Sequence, residues 1–273
     1  SKLCIERKMT KIVILGKGTV GLSTEMFLKH HNQDIEILFN DPYKDIVLED
    51  EQWNGVDFVV VCVNSNLNTS LSLPENDTAN LDDAVNYAFS KGYTGPVIIR
   101  STIGVESAIM LLTQLADDLI MWPEYIREAT WQADSIAPPM VILGGNRAEE
   151  FSSLFESTYT GKLVITDPVE AMVAKLSTNA FLSTKVIFAN QVRMLCEKYN
   201  ISYSVVSQLL ANEGRLGSSH WQSPGPDGQA GFGGKCFPKD MQTFETALVK
   251  AGVHVNLVRA VLDLNSEMRP DGT

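Results

Sequence analysis

The sequence lacks a long hydrophobic run. Its longest apolar stretch is the six-residue segment Phe58–Val63, whereas a helix that crosses a bilayer needs about 20 apolar residues. The first residues, Ser1–Met9, also lack the apolar stretch of a secretory signal. We therefore expect a cytoplasmic protein that does not have a membrane as its partner.

Basic residues are also scarce. The chain has 22 Lys and Arg against 33 Asp and Glu, which gives a net charge of -11 at pH 7. Nucleic acids and anionic membrane surfaces attract proteins through a basic excess, so this balance argues against both as main partners. An anionic small-molecule substrate is not excluded, because a few lysines and arginines can reverse the field inside one cleft.

Cysteines are few and scattered. The four are Cys4, Cys62, Cys196 and Cys236, with no CxxC pair and no spacing typical of metal ligands. The pattern therefore predicts no metal site and suits a reducing cytoplasm. Cys62 lies in the apolar run and Cys196 in a helical pattern, so we expect both to be buried as small hydrophobic residues.

Over its first two-thirds the chain alternates short β-branched runs with helical patterns. This alternation is typical of a parallel sheet covered by helices. We predict strands at Lys11–Leu15, Ile35–Phe39, Phe58–Val63, Val97–Arg100, Val141–Leu143 and Leu163–Thr166, and helices at Leu22–His30 and Leu81–Ser90. The predicted class is α/β, with an N-terminal Rossmann-type doubly wound parallel sheet in residues 1–167.

After Asp167 the pattern becomes helical. Pro168 suits the first turn of a helix with Asp167 as its cap, and Val169–Tyr199 contains neither Gly nor Pro. Thirty helical residues extend about 45 Å, a length typical of a helix that links domains or builds a subunit interface. Residues 168–273 are therefore predicted to form a helical central (dimerisation) domain with a long connecting helix. Within it, the Gly- and Pro-rich segment 223–234 must be a loop.

A GxGxxG pattern, Gly16–Gly21, follows the first predicted strand and opens the first predicted helix. There the glycines permit a tight turn and close backbone approach to a pyrophosphate, and the helix N-terminus supplies N–H groups. Asp41 lies twenty residues past Gly21 (41 − 21), where a carboxylate binds the adenosine ribose and repels a 2′-phosphate. The pattern predicts NAD rather than NADP. Asp41 also reads as the first residue of an Asp-Pro turn, and Lys44 nearby weakens the choice of NAD.

The most informative stretch for chemistry is Gly233–Asp240. Cys236 follows a glycine pair, lies between Lys235 and Lys239, and has Asp240 four residues on. Neighbouring cations favour the thiolate, which is the form that a nucleophilic cysteine needs. The alternative is a buried cysteine at a helix start, and these residues alone do not decide between the two.

The segment Gly231–Asp240 resembles the active-site cysteine motif of the UDP-glucose/GDP-mannose dehydrogenase family. Further segments resemble family motifs in the family's order: Ser101–Ile103, Pro123–Glu128, Lys175–Phe181 and Gly214–Gly217. The resemblance spans essentially residues 11–265. It implies NAD-dependent, four-electron oxidation of the C6 hydroxyl of a nucleotide sugar to the uronic acid, with UDP-glucose as the most frequent family substrate.

Catalytic roles follow from the resemblance. Cys236 would trap the aldehyde stage, and oxidation of the resulting thiohemiacetal would give a thioester that water cleaves. Lys175 and Asn179, four apart on a helix, would stabilise the developing alkoxide. The hydrolytic water would be held or activated by Thr102, Glu128 and Asp240, with Glu124 close by. Lys175 could instead be a solvated lysine, and the two glutamates an exposed helix face.

Binding roles are implied in the same way. The cofactor set is Gly16, Gly18, Thr19, Val20, Gly21, Asp41, Lys44, Val63, Ser101 and Thr102. The substrate set is Glu124, Tyr125, Ile126, Lys175, Asn179, Arg215, Phe232, Gly233 and Lys239. Arg215 matches a family arginine that reaches a neighbouring subunit's substrate, which implies a homodimer; alternatively it is a surface residue in a Gly-flanked turn.

Two features depart from the family pattern. The family usually continues into a second Rossmann-like domain, whereas this sequence stops at Thr273, so we expect a short form or a truncation. Val63–Asn66 stands where the family has Pro and Thr, and Lys235 replaces a small residue. Two rival interpretations stay open. One is a two-electron dehydrogenase of the β-hydroxyacid or 6-phosphogluconate type, an enzyme that uses no nucleophilic cysteine. The other is a non-catalytic binding protein.

Overall fold

The computed structural model describes residues 9–127 and 130–270. The chain divides into two compact units: the first is Ser1–Asn66 with Asn76–Lys175, and the second is Leu67–Glu75 with Leu176–Thr273. The boundary expected from the sequence, at 167/168, marks the start of the long helix, whereas the two units divide inside that helix.

The first unit is built on a seven-stranded sheet. Its strands are β1 (Thr10–Leu15), β2 (Ile35–Asn40), β3 (Phe58–Val61), β6 (Val97–Ile99), β7 (Leu119–Met121), β8 (Met140–Gly144) and β9 (Lys162–Thr166). Their order across the sheet is β2-β1-β3-β6-β7-β8-β9. All neighbours pair in parallel except β7 and β8. The predicted doubly wound, mostly parallel sheet is confirmed. Strands β2 and β3 lie on opposite sides of β1, so the strand order switches direction there.

Helices cover the sheet. They are α1 (Thr19–His31), α2 (Ala79–Ser90), α3 (Val105–Leu115), α4 (Trp131–Ile136) and α5 (Ala148–Ser152). The first two were predicted within a few residues, while the other three and β7 were not. One face of the sheet packs on an aromatic cluster that includes Phe27, Trp122, Phe151, Phe155 and Tyr159. The interior strand β3 is fully buried, which explains its continuous apolar sequence.

The long helix α6 runs from Pro168 to Lys198, 31 residues, close to the prediction. Asp167 caps it, because its Oδ1 accepts a hydrogen bond from the Val169 amide at 2.7 Å. Within the described residues, no helix has both the length and the apolar character that a bilayer crossing requires.

The second unit is mainly helical. After the C-terminal part of α6 come α7 (Tyr203–Asn212), α8 (Phe237–Lys250) and α9 (Asn256–Met268). Their core contains Ala180, Ile187, Phe232, Met241, Val258 and Val261. A short pair of strands, β4 (Leu67–Asn68) and β5 (Glu75–Asn76), was not predicted. The chain before β5 is bound to α8, since the Thr246 hydroxyl donates to the Pro74 carbonyl at 2.6 Å.

Candidate active site

The glycine-rich turn after β1 requires glycine at two of its positions. Gly16 has a φ of +97°, and a Cβ there would lie 2.7 Å from the Cys62 carbonyl oxygen. A Cβ on Gly21 would overlap the Gly16 carbonyl oxygen. Gly18 differs, because nothing lies within 4 Å of the position its Cβ would take. The backbone at Gly18 is therefore open to a ligand just where α1 begins.

That helix N-terminus suits an anion. The N-cap of α1 is Gly18, and no acidic residue occupies the first turn, which contains Thr19 and Val20. The N–H groups of a first helical turn have no partner within the helix, and the helix dipole is positive there. The turn thus has the shape and polarity that a dinucleotide pyrophosphate needs.

Asp41 and Lys44 both fix the turn at Lys17. Asp41 is buried, and its Oδ2 accepts a hydrogen bond from the Lys17 amide at 2.8 Å. The Lys44 Nζ donates to the Lys17 carbonyl at 2.6 Å. Asp41 also begins the expected Asp-Pro turn, because its carbonyl accepts from the Lys44 amide at 2.9 Å. Both interpretations of Asp41 are compatible with this geometry, and Lys44 is engaged with the turn itself.

The segments that follow β3 and β6 are joined to each other. The Ser101 hydroxyl donates to the Val63 carbonyl at 2.7 Å, and the Ser65 hydroxyl donates to the Thr102 carbonyl at 2.6 Å. Three predicted cofactor residues, Val63, Ser101 and Thr102, therefore lie together at the carboxyl edge of adjacent strands. Ser65 was not among the predicted residues, because its role depends on a hydrogen-bond partner 37 residues away.

Arg100 is a second residue that the sequence analysis missed. It is only 5% exposed, and its guanidinium lies 3.9 Å from the centroid of the Trp122 ring. Its Nε has no hydrogen-bond partner within the part of the chain that the structure describes. Desolvation lowers the pKa of Arg100, and burial raises the pKa of the nearby Cys62 thiol to about 11. Cys62 is therefore a protonated core thiol, as its apolar context predicted.

The segment 123–127 is held by its own side chains. The Glu124 carboxylate accepts from the Ile126 amide, and the Arg127 guanidinium pairs with Asp134 at 2.7 Å. The hydrogen bonds from Arg127 lower the pKa of Asp134 to about 2. Glu128, for which a role in hydrolysis is expected, lies outside the described residues.

Lys175 is not a solvated surface lysine. It is 5% exposed, and its Nζ lies 4.9 Å from the centroid of the Tyr125 ring, which is a cation–π contact. The first unit thus brings together two residues predicted to bind substrate, one from α6 and one from the segment after β7.

The second unit places Cys236 at the N-cap of α8. Cys236 is exposed. The alternative interpretation, a buried cysteine at a helix start, is therefore wrong about burial, although the residue does lie at a helix start. The Cys236 carbonyl accepts from the Asp240 amide at 2.9 Å. A thiol at this end of a helix lies at the positive end of the helix dipole, which favours the thiolate.

Asp240 is the fixed carboxylate of this group. It is 1% exposed, its Oδ2 accepts from the Asn179 amide nitrogen at 2.5 Å, and its Oδ1 accepts from the Lys239 Nζ at 2.8 Å. Asn179 is itself buried on α6. The structure therefore brings three predicted site residues of the second unit, Lys239, Asp240 and Asn179, into side-chain contact. Cys236 lies one helical turn before Asp240.

Phe232 and Gly233 immediately precede this group. The Phe232 side chain is 3% exposed and lies in the core of the second unit. Its backbone amide and carbonyl both bind the Asn265 side chain, at 2.7 and 3.0 Å. Phe232 therefore anchors the chain that leads to Gly233. Its side chain is buried, and its amide and carbonyl are both occupied by Asn265.

Arg215 lies on an exposed turn, with 87% of its side chain accessible, and pairs with Glu213. Lys185 of α6 holds the turn in place, because its Nζ donates to the Leu216 and Gly217 carbonyls, both at 2.9 Å. Burial lowers the pKa of Lys185. Lys185 was not among the predicted residues. The signal that could have found it was a second lysine on the same helix, ten residues after Lys175.

Comparison with known proteins gives a family match and related folds. Residues 169–267 match the central-domain model of the UDP-glucose/GDP-mannose dehydrogenase family. The chain is 24% identical over 273 aligned residues to the UDP-glucose 6-dehydrogenase of Rickettsia conorii, an alignment that covers 97% of this chain and 61% of the relative. The chain thus spans about three-fifths of the length of that curated relative.

Two solved structures show the fold. A UDP-glucose dehydrogenase from Pyrobaculum islandicum superposes with a TM-score of 0.80 at 20% identity, covering 98% of this chain and 70% of the other. The 3-hydroxyisobutyrate dehydrogenase of Mycobacterium tuberculosis gives 0.74 at 16% identity, covering 97% and 95%. Since both kinds of dehydrogenase share this architecture, the fold does not choose between them, whereas the central-domain match favours the first.

Proposed function

We propose that this chain, whose residues 169–267 match the central-domain model of the UDP-glucose/GDP-mannose dehydrogenase family, oxidises the C6 hydroxyl of a nucleotide sugar to a carboxylate with NAD. UDP-glucose is the first candidate substrate. The observation that carries the proposal is the exposed Cys236 at the start of α8 beside the buried Asp240. A two-electron β-hydroxyacid dehydrogenase has no use for such a cysteine.

The residues of the first unit fit a dinucleotide. Gly16–Gly21 leaves the backbone open at Gly18, and Asp41 lies beside the turn where an adenosine ribose hydroxyl is expected. When bound, NAD supplies the acceptor for the hydride that leaves the substrate carbon in each oxidation. Val63, Ser101 and Thr102, at the edge of β3 and β6, would line the nicotinamide side.

Cys236 would act on the aldehyde produced by the first oxidation. The thiolate adds to the carbonyl carbon to form a thiohemiacetal, and removal of a hydride from that carbon in the second oxidation leaves a thioester. Water then adds to the thioester carbonyl, and the C–S bond breaks to release the carboxylic acid and the thiol. Two hydrides leave the substrate in all, so the reaction consumes two NAD.

The neighbours of Cys236 have matching tasks. The Asn179 amide nitrogen has two hydrogens, of which one is bound to Asp240, so the second can donate to the oxygen where negative charge develops. By family resemblance, Lys175, a buried cation, would also stabilise negative charge on the substrate. Asp240, fixed by Lys239 and Asn179, would position the hydrolytic water, with Thr102 and Glu128 assisting by family resemblance.

A homodimer forms part of the proposal. In the second unit, apolar side chains on α6, on α7 and just after α6 are widely exposed: Phe181, Phe188, Leu195, Tyr199, Val205 and Leu209 are 53–72% accessible. Large exposed apolar side chains in such number are typical of a surface that binds another protein. Arg215, exposed on its supported turn, would then reach the substrate of the partner.

The test of the activity is stoichiometry. Purified protein is given NAD with each of a small panel of nucleotide sugars, and NADH and the acid product are quantified together. Two NADH per acid support the proposal. One NADH per product indicates a two-electron dehydrogenase, and no NADH with any sugar indicates a binding protein; either result contradicts it.

The dimer has a test of its own. Cys236→Ala and Arg215→Ala chains, each inactive alone, are mixed after dissociation and reassociation. If Arg215 serves the partner's site, heterodimers contain one intact site and the mixture recovers about a quarter of wild-type activity. A sedimentation profile of a monomer at micromolar concentration, or no recovery, contradicts the assembly.

A further inference from the structure

The loop 223–234, between α7 and α8, leads directly to Cys236 and contains no helix or strand. Only a few of its own backbone hydrogen bonds stabilise it, such as Gly225 to Gln229 at 2.8 Å. A loop of this length with so much glycine loses much conformational entropy when it is ordered. Something outside the loop must hold it in one conformation.

Two side chains at the end of α9 do so, and we name Asn265 and Arg269 the α9 clamp. Asn265 lies in the last turn of α9, and Arg269 is the residue that caps its C-terminal end. Asn265 accepts from the Phe232 amide at 2.7 Å and donates to the Phe232 carbonyl at 3.0 Å. This pair of bonds fixes the peptide orientation on both sides of Phe232.

Arg269 holds the preceding residues. It is 6% exposed, its Nε donates to the Ala230 carbonyl at 2.7 Å, and its Nη2 donates to the Gly231 carbonyl and to the Asp227 carboxylate at 3.3 and 2.6 Å. The planar guanidinium presents donors in a fixed fork, so these acceptors share one geometry.

The fit between clamp and loop is close. A Cβ on Gly231, whose φ is +71°, would lie 2.5 Å from the Asn265 Oδ1. Asn265 can reach the Phe232 peptide only because the preceding residue has no side chain. The loop sequence and the clamp are therefore matched to each other at Gly231.

We propose that Asn265 and Arg269 are positioning residues for nucleotide-sugar binding: they hold residues 227–232 in the conformation in which the loop meets the substrate and Cys236 follows at a fixed distance. The inference rests on the proposed function, since the ligand is the nucleotide sugar. The clamp acts through the loop backbone and touches neither the thiol nor the sugar itself.

The experiment compares matched substitutions on one helix in the full chain. Arg269→Gln removes the clamp, Arg269→Lys keeps the charge but loses the fork, and Asn265→Asp retains one of two bonds to Phe232. Arg259→Gln is the control, because Arg259 lies on α9 but pairs with the exposed side of α8 through Glu245. Thermal unfolding first establishes that each variant is folded.

Hydrogen exchange of the peptide covering 225–234 is then followed with and without UDP-glucose or GDP-mannose. Loss of hydrogen bonds to a buried charged group predicts exchange about tenfold faster in Arg269→Gln, and about a tenfold higher sugar concentration for protection. Arg269→Lys and Asn265→Asp should fall between Arg269→Gln and wild type, and Arg259→Gln should match wild type. Where turnover is seen, KM for the sugar rises while KM for NAD does not change.

The inference is overturned if the loop exchanges faster in Arg269→Gln without weaker sugar protection, because the clamp is then merely structural. It is also overturned if neither sugar protects the wild-type loop, or if Arg259→Gln behaves like Arg269→Gln. Failure of the proposed function has a different signature, namely sugar protection of the loop without formation of an acid product.

Discussion

The turn at Gly16–Gly21 and the loop 223–234 are both rich in glycine, but they are held in different ways. The first is held by backbone: the Cβ positions of Gly16 and Gly21 are blocked by carbonyl oxygens of the chain itself. The second is held by side chains that arrive from α9. The backbone-held turn therefore has no room for a side chain at Gly16 or Gly21, whereas the side-chain-held loop depends on residues far away in the sequence.

The largest effect is expected from substitution of Cys236, which should abolish the chemistry assigned to the second unit without changing cofactor binding in the first. Cys236→Ala should lower the rate of acid formation by roughly 1000-fold or more, since no covalent intermediate can form. Cys236→Ser should form an ester that hydrolyses very slowly, visible as a mass increase of the intact chain. NAD affinity, measured by fluorescence quenching, should not change in either variant. Steady acid production by Cys236→Ala would contradict the covalent mechanism.

The next effect tests the backbone-held turn by a matched pair. Gly21→Ala places a methyl group against the Gly16 carbonyl and should destabilise the first unit by about 1–3 kcal/mol, with NAD binding reduced roughly 100-fold. Gly18→Ala meets nothing within 4 Å, so it should leave the thermal unfolding midpoint unchanged and weaken NAD only, by intruding on the cofactor. Equal unfolding midpoints for the two variants would contradict a backbone-held turn.

The difference between the two regions also explains what the sequence could predict. The GxGxxG turn, its flanking strands and Asp41 are local features, and the structure has them where the pattern placed them. Likewise α6 was visible as a long stretch without Gly or Pro. Strand β7 was missed because Leu119–Met121 has three residues and only one of them is β-branched, whereas the equally short β6 is Val-Ile-Ile. Helices α4 and α5 have only six and five residues.

The side-chain network was beyond local reasoning. Arg269 binds Asp227 across 42 residues, and Asn265 binds Phe232 across 33. Asn179 meets Asp240 across 61 residues; the resemblance named both, but nothing in the spacing predicted their contact. Such partners become neighbours only after the helices have packed, so their pairing is a property of the tertiary structure.

A smaller effect concerns the ribose end of the turn. Asp41→Ala removes the acceptor of the Lys17 amide and the group that would bind the ribose hydroxyls, so NAD affinity should fall about tenfold, as for loss of a hydrogen bond to a charged group. NADP affinity should fall less, because the repulsion of a 2′-phosphate is lost as well. Titration with both cofactors checks this, and an unchanged NAD:NADP preference would remove Asp41 from the cofactor site.

The smallest expected effect tests whether the loop is held by side chains. Gly228 and Gly231 both have positive φ, 78° and 71°, so alanine at either position should cost about 1 kcal/mol in backbone strain. Only at Gly231 does the new methyl group also meet a neighbour, the Asn265 Oδ1 at 2.5 Å. Gly231→Ala should therefore be the more destabilising in urea unfolding, and the difference should vanish in an Asn265→Ala background. The opposite outcome is that Gly228→Ala and Gly231→Ala differ in unfolding free energy by the same amount in the wild-type and Asn265→Ala backgrounds. Asn265 then does not hold the loop, and the contrast with the backbone-held turn fails.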